Sequence, residues 1–455
     1  MSTRLHRYLA PVHMRKLLRN STIPLLLFAT SASAQSRSLV DSVLLLNRAG
    51  RWAAAAQLAR KSIPATASAD ERCTLRVSML WGLVQLRMLD IAASELKTYD
   101  TECARFRPTP QYASEIAAIR AETNLPPLPK TGFDFSYLEP FWTIVDSLSR
   151  DIQPSDSLWR RLTRSVGFRL ADQPQLPRDL ALAIMPSQRA RRDSVIARQN
   201  DNSAVLTHLA TAATMRVELT RLADSIKRSA SAGEPVRLAA KYLPVGGTSH
   251  RDPPLVAFAI FRDDAFSQEK GIIVDLLNVR RNGLTPLLAH EFHHDFLAAL
   301  SKVDRPPRDS ADAALVNILI NFRNEGIADQ IDKPYPLKGS SGFVREYNAA
   351  YARTPAVIRQ IDSLLGAMDG SPNAMRATGS RVTALLPFNG HPNGAYVARE
   401  IIETFGIDSI MPAVRSPFAF LRTFASAEKK RGKPSPFSAA SQRVLDVLEK
   451  KYTRR

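Results

Sequence analysis

Apolar residues recur every three or four positions along most of the chain, which is the spacing of one buried face of an α-helix. Residues 39–122 show this pattern with few prolines. The segment forms two helical pairs, with the first pair turning near Gly50 and the second near Leu89. We therefore predict a helical-hairpin domain over residues 35–123.

The two pairs recur at roughly forty residues and resemble the hairpins of tetratricopeptide-type repeats. The resemblance implies a docking surface for a protein partner, while the plainer interpretation is a helical cap packed on the next domain. Both interpretations stay open. Cys73 begins the third helix and Cys103 ends the fourth, so they meet at the same end of an antiparallel hairpin. We predict a disulfide between them.

The proline-rich stretch "NLPPLPK" breaks the helical pattern, and we place a linker at residues 124–131 and a second domain at residues 132–455. The second domain is again mostly helical. Three runs rich in Val, Ile, Phe and Tyr, at residues 238–247, 254–261 and 270–279, predict strands of a small sheet. The expected fold class is α+β, mostly helical.

The first 34 residues have the features of an export signal. Five cations precede the short apolar run of residues 23–29, and Ala32 and Ala34 form a cleavage pattern before Gln35. Either Met1 or Met14 fits as the start. The run is too short to span a bilayer, and no later segment is long and apolar enough. We therefore expect an exported protein, periplasmic or secreted, without a membrane span.

The net charge of +19 does not add a further class of partner to these predictions. The cations are dispersed along the chain and are not interleaved with aromatic residues, as they are in many nucleic-acid-binding surfaces. We expect no nucleic acid as partner.

The stretch "HEFHH" carries the candidate chemistry. On a helix, His290 and His294 project from one face, which is the spacing needed to bind one zinc ion. Glu291 can reach the space beside the metal without being a ligand, and a carboxylate there can take a proton from a water activated by zinc. His293 lies off that face, and we interpret it as a packing residue or a partner of a ligand, and not as a ligand.

A hydrolytic zinc site needs a third protein ligand. Leu297 and Leu300 occupy the places of the glycine and the histidine that metzincins carry after their second histidine, so that class is excluded. In the later helical stretch "NEGIAD", Glu325 and Asp329 lie one turn apart. Glu325 can complete the zinc shell, while Asp329 can accept the second ring N–H of a ligand histidine.

Together, "HEFHH" and "NEGIAD" resemble the gluzincin metallopeptidases of the thermolysin type. The resemblance implies a zincin-like catalytic domain with His290, His294 and Glu325 as zinc ligands. It also implies Glu291 as general base and Asp329 as the partner of a ligand. The 31 positions between His294 and Glu325 exceed the spacing in thermolysin, so the substrate cleft is expected to differ.

Other segments extend the resemblance. "GFDFSYLEPFW", read as helical, and "GHPNGAY" are similar to exported bacterial zinc peptidases of uncharacterised specificity. Thermolysin-type enzymes stabilise the transition state with a histidine and a tyrosine, which implies this role for His391 and Tyr396. In such folds a strand just before the zinc helix pairs with extended substrate, and residues 271–279 are the candidate.

We predict a zinc-dependent peptidase that acts on peptides or proteins. The alternative is a non-catalytic interaction protein, with a helical docking surface and a structural zinc site. Glu291 distinguishes the two, because a structural zinc has no use for a free carboxylate and favours four protein ligands.

Overall fold

A computed structural model describes residues 32–454, apart from 67, 200, 249–251, 308 and 369. The predicted export signal at residues 1–34 therefore lies outside the described residues, except for its last three positions. In the part that the structure describes, no helix combines the length and the apolar character needed to cross a membrane.

The N-terminal region consists of helices that form the two predicted pairs and one further helix. Their bounds are α1 (Ala32–Arg48), α2 (Trp52–Ser62), α3 (Ala69–Gln85), α4 (Leu89–Glu102) and α5 (Pro110–Thr123). Gly50 turns the chain between α1 and α2 with a φ of 68°, a conformation that glycine adopts without strain. The predicted disulfide is confirmed, with the Cα atoms of Cys73 and Cys103 5.8 Å apart.

A group of helices follows the linker, and one of them, Val166–Ala171, packs against two strands of the sheet. They are α6 (Leu138–Leu148), α7 (Asp156–Arg164), α8 (Val166–Ala171), α9 (Leu176–Ile184), α10 (Arg189–Ile196), α11 (Asp201–Thr214), α12 (Arg216–Ser229) and α13 (Gly233–Ala240). The strand predicted at residues 238–247 is wrong, because its first part ends α13. Alanine favours the helix there, and Pro244 and Gly246 interrupt the chain before a strand can form.

The sheet has four strands among the described residues, in the order β1-β2-β4-β3. They are β1 (Phe133–Asp134), β2 (Val256–Ala259), β3 (Ala265–Gln268) and β4 (Gly271–Asp275). β2 and β4 confirm two of the predicted strands, and β1 lies in a segment that we had expected to be helical. β4 pairs in parallel with β2 and antiparallel with β3, so it is an interior strand.

The remaining helices carry the histidine stretch and everything after it. They are α14 (Leu276–Asn282), α15 (Leu284–Leu300), α16 (Ala313–Asp332), α17 (Gly342–Ala352), α18 (Thr354–Gly366), α19 (Pro372–Leu385), α20 (His391–Phe405), α21 (Met411–Arg415), α22 (Pro417–Lys430) and α23 (Ala439–Tyr452). The fold is thus α+β and mostly helical, as predicted.

Apolar side chains form two large buried clusters, one within residues 43–119 and one from Tyr137 to Tyr452. The linker predicted at residues 124–131 falls between them, and the domain division remains a prediction. A bidentate ion pair joins the two sides, with Nε and Nη2 of Arg169 at 3.2 and 3.0 Å from the carboxylate of Asp90.

Candidate metal centre

Three side chains from two helices direct their metal-binding atoms to one place. The Nε2 atoms of His290 and His294, one turn apart on α15, are 3.0 Å apart. Oε2 of Glu325, on α16, is 3.0 Å from Nε2 of His294 and 3.5 Å from Nε2 of His290. A tetrahedral zinc ion with bonds of about 2.0–2.1 Å separates its ligand atoms by roughly 3.3 Å. The donor set and its spacing therefore fit zinc.

Packing fixes the backbone that carries these ligands. Leu288 and Phe292, which flank the first histidine on α15, are fully buried, as is Ile327 beside the ligand on α16. Such neighbours leave the two helices little freedom to move apart. The metal-binding atoms are therefore held close together by the apolar core before any metal binds.

The carboxylate of Glu325 is kept in its ionised form. Burial alone would raise its pKa, but the neighbouring His391 and His294 hold that pKa well below its usual range. An ionised carboxylate is the form that binds a metal ion.

Asp332 orients His290, the first of the two candidate ligand histidines. Its Oδ1 lies 2.9 Å from Nδ1 of His290, which leaves Nε2 directed at the other ligands. Burial would lower the pKa of His290, but the carboxylate of Asp332 outweighs it and raises the pKa to about 10. The two-motif pattern did not point to Asp332. It lies seven residues after Glu325, two turns along α16, and that spacing is the signal that could have identified it.

Asp329 serves a different histidine from the one expected. Its Oδ1 is 2.8 Å from Nδ1 of His391 and 2.9 Å from Nζ of Lys333, whereas Nδ1 of His290 is 3.7 Å away. Its Oδ2 accepts a hydrogen bond of 2.8 Å from the Tyr347 hydroxyl, a contact that the sequence did not reveal. The fully buried Asp329 is thus surrounded by donors.

His290, Asp329 and His391 form a second group close enough to hold a metal ion. The first group suits zinc better, because both oxygens of Asp329 already accept hydrogen bonds from other side chains. A carboxylate so occupied is a poor ligand, and its contacts instead fix the ring of His391.

His391 begins α20 and reaches the ligand cluster, with Nε2 3.1 Å from Oε2 of Glu325. It follows a turn in which Phe388, Asn389 and Gly390 have φ values of 52°, 59° and 93°. A left-handed conformation is unfavourable for a bulky residue such as Phe388, and such strain is common where a turn positions a functional side chain. The turn thus aims the first side chain of α20 into the site.

Two glycines allow α20 to approach α16 closely enough for this contact. A Cβ atom added to Gly326 would lie 2.3 Å from the backbone carbon of Gly394, and one added to Gly394 would lie 2.1 Å from the carbonyl oxygen of Phe322. Any side chain at these positions would push the helices apart. Both glycines stand in the segments "NEGIAD" and "GHPNGAY", and their role is to bring those segments into contact.

Glu291 is next to the cluster and outside the ligand set. Its residue is 4% exposed, and its Oε2 has no hydrogen-bond partner among the described residues. A buried carboxylate oxygen without a partner is costly in a folded protein, and such groups call for a functional explanation. The place and the chemistry suit a base that receives a proton from a reacting water.

Tyr396 lies apart from the cluster, and His293 lies beside it without facing the ligand atoms. The ring of Tyr396 packs against Tyr351 and Phe424, with centroids 5.4 and 6.4 Å apart, and none of its described contacts joins it to the ligands. His293 is fully buried and its Nε2 is 3.4 Å from the carbonyl oxygen of Tyr242, in line with the packing role expected for it.

Residues 161–433, more than half of the chain, match the model of a family described as "Putative zinc dependent peptidase (DUF5700)". The chain belongs to this family. Comparison with curated proteins and with solved structures gave no match. Zinc is accordingly the cofactor, the protein is a zinc-dependent peptidase in general terms, and peptides or proteins are its substrates.

Proposed function

We propose that this protein is an exported gluzincin-type peptidase in which His290, His294 and Glu325 bind zinc. The observation that carries the proposal is the separation of roles around one point. Three ligand atoms converge within 3.0–3.5 Å of one another, while the adjacent carboxylate of Glu291 stays outside the set with an unpartnered oxygen.

Bound zinc would lower the pKa of a water molecule and polarise the scissile carbonyl. Glu291 takes the proton from the attacking water and can pass it to the leaving nitrogen as the peptide bond breaks. Because the carboxylate is buried, little bulk water competes for this proton, and its attachment to α15 keeps it beside the ligands.

His391 is the proposed donor to the oxygen that becomes negative during attack. Its Nδ1 is bonded to the carboxylate of Asp329 and its Nε2 faces the ligand cluster. A donor fixed in this way stabilises charge that develops only in the transition state. Tyr396 is left out of the mechanism, because its ring packs against Tyr351 and Phe424 instead of facing the cluster.

We also propose a different strand for pairing with the substrate. β4 was the candidate, but it lies inside the sheet with both edges paired. β3 is the antiparallel edge strand, and the structure describes no strand on its other side. We therefore assign substrate pairing to β3, residues Ala265–Gln268, because an open edge can add an extended peptide of varied sequence.

Export is proposed from the N-terminal signal pattern, and the disulfide between Cys73 and Cys103 supports it. Disulfides persist in oxidising compartments and are rare in the cytosol. A periplasmic or secreted location suits both observations.

The test compares two glutamate variants of the full-length protein by zinc content and by cleavage of a peptide library. Glu291→Gln should keep zinc and lose nearly all cleavage, whereas Glu325→Ala should lose zinc. Glu234→Gln is the matched control, since Glu234 is exposed and pairs with Arg237 on its own helix. Stoichiometric zinc with no cleavage by the wild type would favour the structural-zinc alternative.

A further inference from the structure

The loop between α15 and α16 places one cation beside the metal centre. Arg305 donates hydrogen bonds to the side-chain oxygens of Asn317, at 3.2 Å, and Asn321, at 3.3 Å. Both asparagines are on α16. The guanidinium is thus held on this helix by neutral side chains, and Arg305 as a whole residue is exposed.

The face of α16 that holds Arg305 also carries a zinc ligand. Asn317, Asn321 and Glu325 follow one another at intervals of four residues, so they lie along one side of the helix with a rise of about 6 Å per step. Nδ2 of Asn321 donates a 3.0 Å hydrogen bond to Oδ1 of Asn389, two residues before His391. Arg305 therefore lies along the side of α16 that carries Glu325 and that contacts the turn before His391.

The charge of Arg305 lacks a nearby counter-charge. Among the described residues, no carboxylate lies within 4 Å of its guanidinium, whereas Lys333 pairs with both Asp329 and Asp332. Burial of the guanidinium by the surrounding protein lowers the pKa of Arg305, whereas the more distant carboxylate of Glu325 raises it. A guanidinium presents five N–H groups, so donors remain after the two bonds to asparagine.

We propose that Arg305 binds a carboxylate of the substrate and sets a preference for peptides that carry one close to the scissile bond. The proposal rests on the function proposed above. A planar guanidinium can hold a carboxylate by two parallel hydrogen bonds. A distance of one or two of these steps along α16 from Glu325 equals the length of about two to four residues of an extended peptide, at about 3.3 Å per residue.

The carboxylate can come from two sources. One is the free C-terminus of a peptide, which would make the enzyme release short C-terminal fragments. The other is an Asp or Glu side chain within a longer chain, which would make it an endopeptidase with an acidic preference. Both sources use the same guanidinium contact, and matched peptides separate them.

The experiment uses four fluorogenic peptides of one core sequence. Two differ only in a C-terminal carboxylate or carboxamide, and two blocked at both ends differ only in Asp or Asn near the scissile bond. The wild type should cleave the charged member of one pair with a kcat/KM about 10–100-fold higher, the effect expected of a hydrogen bond between charged groups. Most of this preference should appear in KM.

Arg305→Gln should bring that ratio close to one, and Arg305→Lys should restore part of it. Lys302→Gln is the matched control. Lys302 is an exposed cation of the same loop, and no carboxylate of the described residues pairs with its side chain, so its loss should leave the ratio unchanged. Equal cleavage within both pairs by the wild type, or an unchanged ratio in Arg305→Gln, would overturn the proposal.

A binding measurement separates this proposal from the peptidase function itself. Fluorescence anisotropy of the same peptides on zinc-loaded Glu291→Gln protein reports carboxylate recognition without any cleavage. Tighter binding of the charged member that disappears in the Glu291→Gln/Arg305→Gln double variant supports the role of Arg305 even if the wild type cleaves nothing. Equal binding of the charged and neutral members would contradict it.

Discussion

The helices of residues 39–123 bury mainly apolar side chains and have some of their ion pairs at the surface, whereas α15, α16 and α20 bury charged side chains around one point. In the first region, Arg120 and Asp100 pair with side chains that are 50% and 40% exposed. In the second, Asp329 is completely inaccessible and Glu291 is 4% exposed. Exposed pairs contribute little to stability, so the N-terminal helices depend on packing and on their disulfide.

Buried charges are costly unless they are paired, and replacing them with apolar residues often stabilises a protein. Around the metal centre, Asp329 has Lys333, His391 and Tyr347 as partners, which limits that cost. Because these buried charged side chains are costly, we attribute them to the chemistry of the metal centre and not to stability. The two regions should respond to different substitutions, and the following variants test that difference.

The largest effect is expected at the proposed transition-state donor. His391→Ala should lower kcat by about 10²–10³-fold, the usual loss for one such donor, and should keep zinc. Tyr396→Phe should leave kcat and zinc content near those of the wild type, because its ring packs among aromatic residues away from the ligands. Steady-state kinetics and metal analysis of both purified variants provide the measurement.

If His391→Ala lost its zinc, the histidine would be a ligand and the site would resemble a closed structural one. A large kinetic loss in Tyr396→Phe would instead show that α20 repacks when substrate binds.

The disulfide provides a test of the N-terminal region, in which stability should change and activity should not. Replacing both Cys73 and Cys103 by serine should lower the free energy of unfolding by about 2–4 kcal/mol, since the bond closes a loop of 30 residues in the unfolded chain. Zinc content and kcat should stay unchanged. Urea unfolding followed by circular dichroism gives the stability, and hydrogen exchange shows whether protection falls in α3 and α4. Loss of zinc in this variant would mean that the two regions are not independent.

The same contrast appears in what the sequence could predict. The N-terminal helices could be predicted from local sequence, because their apolar spacing and the break at Gly50 depend only on consecutive residues. The strands were harder. β1 is two residues long, too short for any pattern to show, and β3 ends in the polar residues Ser267 and Gln268 and so lacks the apolar run that marked β2 and β4. Pairing partners are also non-local, so the interior place of β4 could not be inferred from its composition.

At the proposed metal centre, the motifs were enough to predict which three side chains converge, and the contacts around them were not predictable. Asp332 and Tyr347 come from places that the motif does not mark, and they join the site only through tertiary packing. The approach of α20 depends on Gly326 and Gly394, whose small size has meaning only once the two helices are known to cross. A regular spacing on one helix can be read from sequence, but a contact between distant helices cannot.

A smaller effect is expected from the partner of the first ligand. Asp332→Asn removes the charge that orients His290 through its Nδ1 and should weaken zinc affinity by about 10–100-fold, as is usual for groups that hold a metal-binding histidine. Asp304→Asn is a suitable control, because Asp304 is exposed and pairs with Arg454 far along the chain. Competition with a chromophoric chelator measures both affinities. Equal affinity in the two variants would show that Asp332 contributes only to packing.

The smallest effect concerns the pH at which activity declines. Burial alone would lower the pKa of His391, but the carboxylates of Asp329 and Glu325 outweigh it and raise the pKa above its usual value. With Nδ1 bonded to Asp329, the ring donates from Nε2 only while it is protonated, so kcat/KM should fall as pH rises through that pKa.

Asp329→Asn removes one of the charges that raise the pKa of His391 and should move this decline to lower pH without abolishing activity. Profiles of kcat/KM against pH for an uncharged peptide, with zinc content checked at each pH, measure the shift. An alkaline limb at the same pH in both proteins would mean that another group, such as the attacking water, sets it.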